Sequence, residues 1–326
     1  MSQPPTPSGT PPASVSVVVP IYNSEHSIGE LVERLGKMLP GVSTRFEVIL
    51  VNDGSRDGSW QRVEELAAQH SWVVGIDLVK NFGQHNALLC GIRAAQCEVI
   101  VTMDDDLQHP PEQVPLLLDH LAEGFDVVYG PPVEPEHDVS RNLASWVSRI
   151  ALKSVLGLEH ARQASAFRAF HTSVRSGFAG YSGPYVCIDA LLTWGASRFS
   201  SVAVVHEPRL IGRSTYSASS LLRVAFNMVT GFTVRPLRAA SLMGFAFALF
   251  GVLVLIYVVG RYFIEGGSVP GFPFLASIIA IFSGVQLLAL GVIGEYLARM
   301  HFNLMDRPPY VARDSRPGQG IEKQSE

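Results

Sequence analysis

The chain has 326 residues, of which 47% are hydrophobic and only 17% are charged, against about 25% charged residues in an ordinary soluble domain. Its 25 basic and 29 acidic residues leave a formal charge of −4, which argues against a dedicated nucleic-acid-binding protein. Three cysteines without a Cys-x-x-Cys pair exclude a disulfide framework and a zinc knuckle, so we expect buried thiols and a reducing compartment.

The first 14 residues, MSQPPTPSGTPPAS, are dominated by proline, serine, glycine and threonine. They have neither a basic start nor an apolar core, so they do not form a secretory signal. A segment of this composition cannot bury enough apolar surface to fold. The sequence therefore predicts a disordered tail over residues 1–14.

Short β-branched runs alternate with amphipathic stretches over residues 15–130. The predicted strands are Val15–Val19, Phe46–Val51, Val73–Leu78, Val99–Thr102 and Val127–Tyr129. The predicted helices between them are Ile28–Leu39, Trp60–His70 and Ala87–Ala95. This alternation predicts an α/β domain with a mostly parallel sheet and helices on both faces. Ligands bind such sheets at the carboxyl ends of the strands.

Three aspartates, Asp104, Asp105 and Asp106, directly follow one predicted strand. Adjacent carboxylates repel one another, and a divalent cation such as Mg²⁺ or Mn²⁺ relieves that repulsion. A solvated acidic turn or a helix N-cap is the alternative interpretation.

Polar segments also follow the first two predicted strands, Val15–Val19 and Phe46–Val51. Residues 19–25 include Tyr22 and Glu25, and residues 51–59 include Asp53. An aromatic ring and carboxylates at this position could hold a nucleobase and a ribose, although turn chemistry alone accounts for the Asp-Gly pairs. Together with the acidic triplet, the three strand ends predict a nucleotide site.

Two uncharged apolar runs lie near the C-terminus, at residues 239–260 and 272–294. The first has 22 residues and would span about 33 Å as a helix, so we predict a transmembrane hairpin. Arginines flank the hairpin on its outer sides, namely Arg223, Arg235, Arg238, Arg299, Arg307 and Arg313. The connector holds only Arg261 beside Glu265, which predicts that both termini are cytoplasmic.

Two further stretches, residues 141–156 and 217–230, have apolar residues at helical spacing with basic residues interleaved. Each is either an ordinary packed helix or an interfacial helix on the bilayer, and their proximity to the hairpin favours the interfacial alternative.

The segments VVVPIYN, VNDGSRDGS, NFGQHNALLCG, DDDLQHPP and GEYLAR together resemble the family 2 glycosyltransferases of the polyisoprenyl-phosphate type. The resemblance covers roughly residues 14–310. It implies a GT-A, Rossmann-like nucleotide-sugar domain that transfers a sugar from a nucleotide diphosphate to a polyprenyl phosphate with inversion. A UDP-sugar donor, an undecaprenyl-type acceptor and Mg²⁺ or Mn²⁺ as cofactor are implied, in a bacterial inner membrane with the catalytic domain cytoplasmic.

The resemblance also implies roles for individual residues. Asp104 and Asp106 would be catalytic and, together with Gln108, would hold the metal and the diphosphate. The nucleoside-binding residues would be Pro20, Tyr22, Glu25 and Asp53, and the acceptor-phosphate residues would be Arg141, Arg149, Arg168, Arg209 and Arg213. After Gly130 the family usually continues with arginines, whereas this chain has Pro131, Pro132 and Pro135, and it has Thr215 where the family has lysine. Arg213 could supply the charge missing at residue 215; the alternative is that Arg213 faces the lipid headgroups and Arg209 suffices.

These observations divide the chain into a tail (1–14), a catalytic domain (15–216), a juxtamembrane segment (217–238), a hairpin (239–297) and a second tail (298–326). The expected partners are a nucleotide sugar, a polyprenyl phosphate, the bilayer and further copies of the chain. A polysaccharide synthase is one alternative, although it would bring more spans and a Gln-x-x-Arg-Trp motif. A catalytically impaired scaffold subunit of a flippase complex is another. A dehydrogenase is disfavoured because no G-x-G-x-x-G follows the first strand.

Overall fold

A computed structural model describes residues 12–133, 164–183, 185–207, 234–265, 271–305 and 307–316 of the chain. The described strands are β1 (Ser14–Ile21), β2 (Arg45–Asn52), β3 (Val73–Leu78), β4 (Val99–Thr102), β5 (Val127–Tyr129), β6 (Arg168–His171), β7 (Phe199–Ser201) and β8 (Ala312–Arg316). They form one sheet in the order β7-β5-β6-β4-β1-β2-β3-β8. Strands β6 and β8 run antiparallel to their neighbours, and the other pairs are parallel.

The five predicted strands are confirmed, and the mostly parallel sheet with them. Alternation along each strand sends successive side chains to opposite faces of the sheet. Val17 and Val19 of β1 therefore pack in one buried cluster, whereas Val18 packs with Ile49 of β2 in the other. Because both faces are covered, the central strands are apolar almost throughout, as expected for buried parallel strands.

Helices cover the two faces of the sheet. The described helices of this domain are α1 (Ile28–Met38), α2 (Ser59–Gln69), α3 (Gln84–Ala94), α4 (Val114–Ala122) and α5 (Ile188–Gly195). Helices α1, α2 and α4 pack on one face, and α3 and α5 pack on the other. The three predicted helices are confirmed, but α3 begins three residues before its predicted start, because Gly83 with φ +97° ends the preceding loop.

Two long helices, α6 (Arg235–Glu265) and α7 (Phe272–Leu304), follow the sheet domain. They contain apolar segments long enough to cross a membrane, Pro236–Arg261 and Ile281–His301, and neither segment is buried within the protein. The helices contact each other where the rings of Phe247 and Phe282 meet edge to face at 5.8 Å. Helix α7 extends beyond the apolar run that we predicted to end at residue 294.

The chain returns to the sheet after α7, within the residues that the sequence places in a tail. Strand β8 pairs antiparallel with the outer edge of β3, with Ile76 opposite Ser315 and Asp77 opposite Asp314. Its sequence, ARDSR, has no β-branched or aromatic residue, so no strand signal marks it. The predicted helices at 141–156 and 217–230 lie outside the described residues, as does most of the predicted N-terminal tail.

Candidate functional site

The three polar segments singled out in the sequence lie together at one edge of the sheet, because β4, β1 and β2 are neighbours. We call this edge the carboxyl rim and define it by residues 20–25, 52–59 and 103–109. Backbone hydrogen bonds join the segments across the rim: Asp53 N donates to Ile21 O over 2.8 Å, and Met103 N donates to Val18 O over 3.2 Å. The rim thus brings the predicted donor-site segments side by side.

The loops after β1 and β2 are interlocked by side-chain hydrogen bonds. Asn23 N donates to Ser55 Oγ (3.0 Å), and Arg56 N donates back to Asn23 Oδ1 (2.9 Å). Asn23 has φ +54°, a left-handed conformation that asparagine tolerates better than most residues. The backbone N–H of Gly58 donates to Glu25 Oε2 over 3.0 Å. With these hydrogen bonds in place, Tyr22 remains 47% exposed at the rim.

Asp53 is buried and already has two hydrogen-bond partners in the protein. Its carboxylate oxygens accept the backbone N–H groups of Phe82 (2.7 Å) and Gly83 (2.9 Å). Burial raises the pKa of Asp53, and the two donors only partly offset that rise. Gly54 beside it has φ +63°, and a Cβ there would lie 2.4 Å from the Lys80 backbone. Asp53 therefore fixes the loop after β3, and its predicted contact with a nucleoside stays a prediction.

The acidic turn after β4 divides its three carboxylates between two tasks. Asp105 accepts a hydrogen bond from Tyr22 N (3.2 Å), and burial raises the pKa of Asp105 to about 6. Asp104 Oδ1 accepts a hydrogen bond from Gln84 Nε2 at the start of α3 (2.6 Å), and Asp106 Oδ1 accepts one from Gln108 N (3.1 Å). Asp104 and Asp106 are both partly exposed.

The donor chemistry of this turn suits a hard divalent cation. In the part of the chain that the structure describes, no three His, Cys, Asp or Glu residues are gathered into a ready-made metal cluster. Mg²⁺ commonly binds through one or two carboxylates and completes its shell with water and substrate phosphates. Asp104 and Asp106, with the amide oxygen of Gln108 available in the same turn, fit that pattern, so a cation here would depend on a bound diphosphate.

A pair of histidines beside the turn was not predicted. His109 is buried, its ring stacks on Phe167 at 5.3 Å, and the ring of His206 meets it edge-on at 5.0 Å. Among the described residues neither ring nitrogen of His109 has a hydrogen-bond partner. Burial lowers the pKa of His109 to about 4, which leaves the ring neutral at pH 7. Contacts distant in sequence bring His206 here, among them Glu207 N donating to Gln108 O (2.9 Å) and Val205 N donating to Gln113 Oε1 (2.8 Å), and no local pattern signals it.

Arg168 is the one predicted phosphate-binding arginine within the described residues. It is buried on β6, where its guanidinium forms an ion pair with Asp189 and its Nε donates to Thr102 Oγ1 over 3.0 Å. The charge of Arg168 is thus balanced inside the protein, and its role toward an acceptor phosphate stays a prediction. Thr215 lies outside the described residues, as do the other four predicted arginines, Arg141, Arg149, Arg209 and Arg213.

Of the three prolines that depart from the family pattern, Pro131 and Pro132 lie in extended backbone beside β7, and Pro135 lies outside the described residues. Val204 N donates to Pro131 O over 2.9 Å, and Pro132 forms an isolated parallel bridge with Val204. Pairing through the Pro131 carbonyl is possible because proline lacks only the N–H donor. The segment therefore extends the sheet toward the carboxyl rim without supplying a cation of its own.

Comparison with known proteins gives one family and one fold. The family model described as glycosyl transferase family 2 matches residues 16–176. Undecaprenyl-phosphate 4-deoxy-4-formamido-L-arabinose transferase of Pseudomonas aeruginosa is 34% identical over 299 residues, covering 91% of this chain and 88% of that protein. The protein of the same name from Shewanella sediminis is 33% identical over 311 residues and covers 94% of each. The crystal structure of M. tuberculosis glucosyl-3-phosphoglycerate synthase matches with a TM-score of 0.50 at 20% identity, covering 67% of this chain and 80% of that one.

Proposed function

Because the chain belongs to glycosyl transferase family 2, we propose that it transfers a sugar from a nucleotide diphosphate sugar to a polyprenyl phosphate of the undecaprenyl type at a membrane. The observation that carries the proposal is the placement of Asp104 and Asp106 beside Tyr22 at the carboxyl rim of a chain with two apolar helices. The names of its relatives, which match over about nine-tenths of the chain, support the same acceptor class.

The donor half of the proposed site is built by the loops after β1 and β2. The half-exposed ring of Tyr22 offers a face on which a nucleobase can stack, and Glu25 offers acceptor oxygens to N–H and O–H donors. A UDP-sugar is the donor that we favour. Pro20 is buried one residue before the end of β1, and Asp53 binds the backbone N–H groups of Phe82 and Gly83; we propose that both lie beneath the nucleoside.

Asp104 and Asp106, with Gln108, would hold Mg²⁺ or Mn²⁺ against the diphosphate of the donor. A bound cation would neutralise the negative charge that grows on the departing diphosphate. Gln84 holds the Asp104 carboxylate through its 2.6 Å hydrogen bond, and the Gln108 N–H holds that of Asp106. These two donors fix the carboxylates before substrate arrives, which lowers the reorganisation needed on binding.

The acceptor requires no strong general base, because a lipid phosphate is already anionic at pH 7. One of its oxygens forms a bond to the anomeric carbon while the bond from that carbon to the diphosphate oxygen breaks, and the nucleoside diphosphate leaves. Attack opposite the leaving group inverts the anomeric configuration. We propose that five arginines lie near this phosphate: Arg141, Arg149, Arg168, Arg209 and Arg213. Arg213 would supply the positive charge that the family's lysine provides at the position of Thr215.

We place the catalytic domain and both termini on the cytoplasmic side, in keeping with the arginines that flank the helices. Single cysteines at Gly267 and Gln319, in a background without the three native cysteines, should react with membrane-impermeant reagents from opposite sides. Modification of both from the same side would contradict the hairpin topology.

Direct assay decides the activity. Full-length protein in lipid vesicles with undecaprenyl phosphate is offered labelled UDP-glucose, other UDP-sugars and GDP-mannose in turn, with Mg²⁺ or Mn²⁺ or with EDTA. We expect metal-dependent appearance of label in an undecaprenyl-phosphate product. Extension of a saccharide chain would favour the synthase alternative, and absence of transfer from every nucleotide sugar would favour a scaffold. Transfer that persists in EDTA would remove the metal from the proposal.

A further inference from the structure

The last described segment of the chain runs along the outer edge of β3, at the end of the sheet nearest the loops after β2 and β3. Residues 310–316, which we call the C-terminal strap, follow α7 closely, and β8 within them pairs with the outer edge of β3. We propose that this strap is a positioning element that holds the donor-site loop after β2, and the loop after β3 that supports it, in register with the membrane helices. The part that concerns donor binding rests on the function proposed above.

The first contact route passes through a buried carboxylate. Asp77 of β3 is only 5% exposed, and its Oδ1 accepts a hydrogen bond from Asn52 Nδ2 over 2.7 Å. The guanidinium of Arg313, on the strap, lies 3.6 Å from Asp77 Oδ2. Arg313 is thus the cation that the strap places beside this buried carboxylate, where an unpaired charge would be costly. Asn52 in turn accepts a hydrogen bond from Ser55 N (3.3 Å), which extends the route into the loop after β2.

The second route passes along the backbone. Val79 N donates to Val311 O over 3.0 Å, and Arg313 Nη2 donates to Val79 O over 3.4 Å. Residues 80–83 follow directly, and the N–H groups of Phe82 and Gly83 are the two donors to Asp53. Both routes therefore end on the loop that carries Asp53, one through Asn52 and the other through the amides that bind its carboxylate.

The strap also contacts helix α3, whose first residue supports the acidic turn. The Arg93 guanidinium near the end of α3 lies 5.8 Å from the ring centroid of Tyr310, which is partly buried. Gln84 at the start of the same helix donates to Asp104. On the other side, Arg299 of α7 stacks over the Tyr185 ring at 4.3 Å. The strap and the end of α7 thus contact the sheet domain at separate places.

The opposite edge of the sheet offers a matched control. Arg198, just before β7, has a side chain 65% exposed and pairs with Asp126 at 3.2 Å, whereas the side chain of Arg313 is 67% exposed. Both arginines are exposed partners of a more buried aspartate next to an edge strand, Asp126 just before β5 and Asp77 on β3. Arg313→Ala removes the strap contact, Arg313→Lys keeps its charge, and Arg198→Ala removes an equivalent ion pair far from the donor loops.

Hydrogen exchange of the full-length protein, followed by mass spectrometry, tests the positioning without any substrate. We expect Arg313→Ala to speed exchange in peptides covering residues 52–57 and 79–83 by about tenfold. Loss of an exposed ion pair that is not coupled to these loops would not produce such a change. Arg313→Lys should restore slow exchange, and Arg198→Ala should leave these peptides unchanged. Unaltered exchange in Arg313→Ala, or equal loosening in Arg198→Ala, would overturn the proposal.

Binding of UDP with Mn²⁺, and steady-state kinetics with the active nucleotide sugar, test the consequence for the donor. Arg313→Ala should raise the Kd for UDP and the KM for the donor by about fivefold, with kcat and the KM for undecaprenyl phosphate nearly unchanged. Adding Asp77→Asn should reverse most of this change, because no buried charge then lacks a partner. If no sugar is transferred, the proposed function fails, but hydrogen exchange still tests whether the strap positions the two loops. If exchange loosens but donor affinity does not change, the strap has no role in donor binding.

Discussion

The two rims of the sheet hold similar residue types in different surroundings. At the amino ends of the strands, buried Glu47 accepts hydrogen bonds from Ser16 Oγ (2.6 Å) and Gln96 N (2.7 Å). At the carboxyl rim, Asp104 and Asp106 each receive a donor but stay partly exposed. Buried carboxylates whose oxygens accept hydrogen bonds from the protein stabilise the fold, whereas carboxylates that remain open to solvent can bind a ligand.

The pKa values of two aspartates express this difference. Partial burial would raise the pKa of Asp126 at the amino rim, but the N–H groups of Ser197 and Arg198 and the Arg198 guanidinium lower it to about 2. At the carboxyl rim, burial outweighs the donors and raises the pKa of Asp105 to about 6. The hydrogen-bond donors around Asp126 therefore stabilise its ionised carboxylate, whereas those around Asp105 do not fully compensate for the burial of its charge.

Replacing a carboxylate at the carboxyl rim should give the largest effect. Asp106→Asn keeps the shape of the side chain but removes a metal-binding charge, so we expect transfer to fall by about a hundredfold or more. The unfolding transition should be unchanged. Radiolabel transfer and thermal unfolding of the same preparation measure both, with Asp119→Asn on the exposed face of α4 as the control. Near-normal transfer by Asp106→Asn would refute the assignment.

Replacing a carboxylate at the amino rim should have the opposite outcome. Glu47→Ala leaves the buried Ser16 hydroxyl and Gln96 N–H without their acceptor, so the free energy of unfolding should fall by about 2 kcal/mol. Specific activity per folded molecule should not change. Chemical denaturation of the detergent-solubilised protein measures this, and Glu33→Ala, an exposed residue paired with Lys37, is the control. A loss of activity without a loss of stability would break the comparison between the rims.

The exposed ring at the carboxyl rim should affect only donor affinity. Tyr22→Ala removes the face on which we expect the base to stack, which should raise the KM for the nucleotide sugar about tenfold. Tyr22→Phe keeps the ring and should behave like the wild type. An equal loss in both variants would show that the hydroxyl, rather than stacking, binds the donor.

The amino rim should also show a characteristic pH dependence, which is the smallest effect. Because the folded-state pKa of Asp126 is about 2, below its ordinary value near about 4, the stability it contributes is complete above about pH 4. That contribution declines as the pH falls toward 2. The difference in unfolding free energy between wild type and Asp126→Asn should therefore shrink over this window. A difference that does not depend on pH would contradict the cause assigned to the lowered pKa.

Much of the fold was predictable because local patterns encode it. Strands β1 to β5 are rich in β-branched residues, and α6 and α7 each contain a long uncharged apolar run. Strand β6 was not predicted, since its four residues, RAFH, carry no alternating pattern and their insertion between β4 and β5 depends on packing. Strand β8 was missed for a similar reason, because only its pairing with a distant strand makes it extended.

The candidate site was predictable as a set of strand ends but not as a set of contacts. Neighbouring strands bring Tyr22, Asp53 and Asp104 to one rim, which alternation alone implies. That Asp53 binds the amides of residues 82 and 83, and that Arg168 pairs with Asp189, depends on loops that meet only in the folded chain. The side-chain partners of a charged residue are therefore the information that sequence patterns lack.

The pairing of β3 with β8 has a consequence for biosynthesis. Strand β3 emerges from the ribosome early, whereas β8 is synthesised only after both apolar helices. Until then the outer edge of β3 has no strand beside it, and an open edge is a template for pairing with other chains. A nascent chain that stalls before residue 312 thus exposes the unpaired outer edge of β3. The sheet can be completed only after both helices have been synthesised. Proteolysis and chaperone capture during translation should concentrate in that interval.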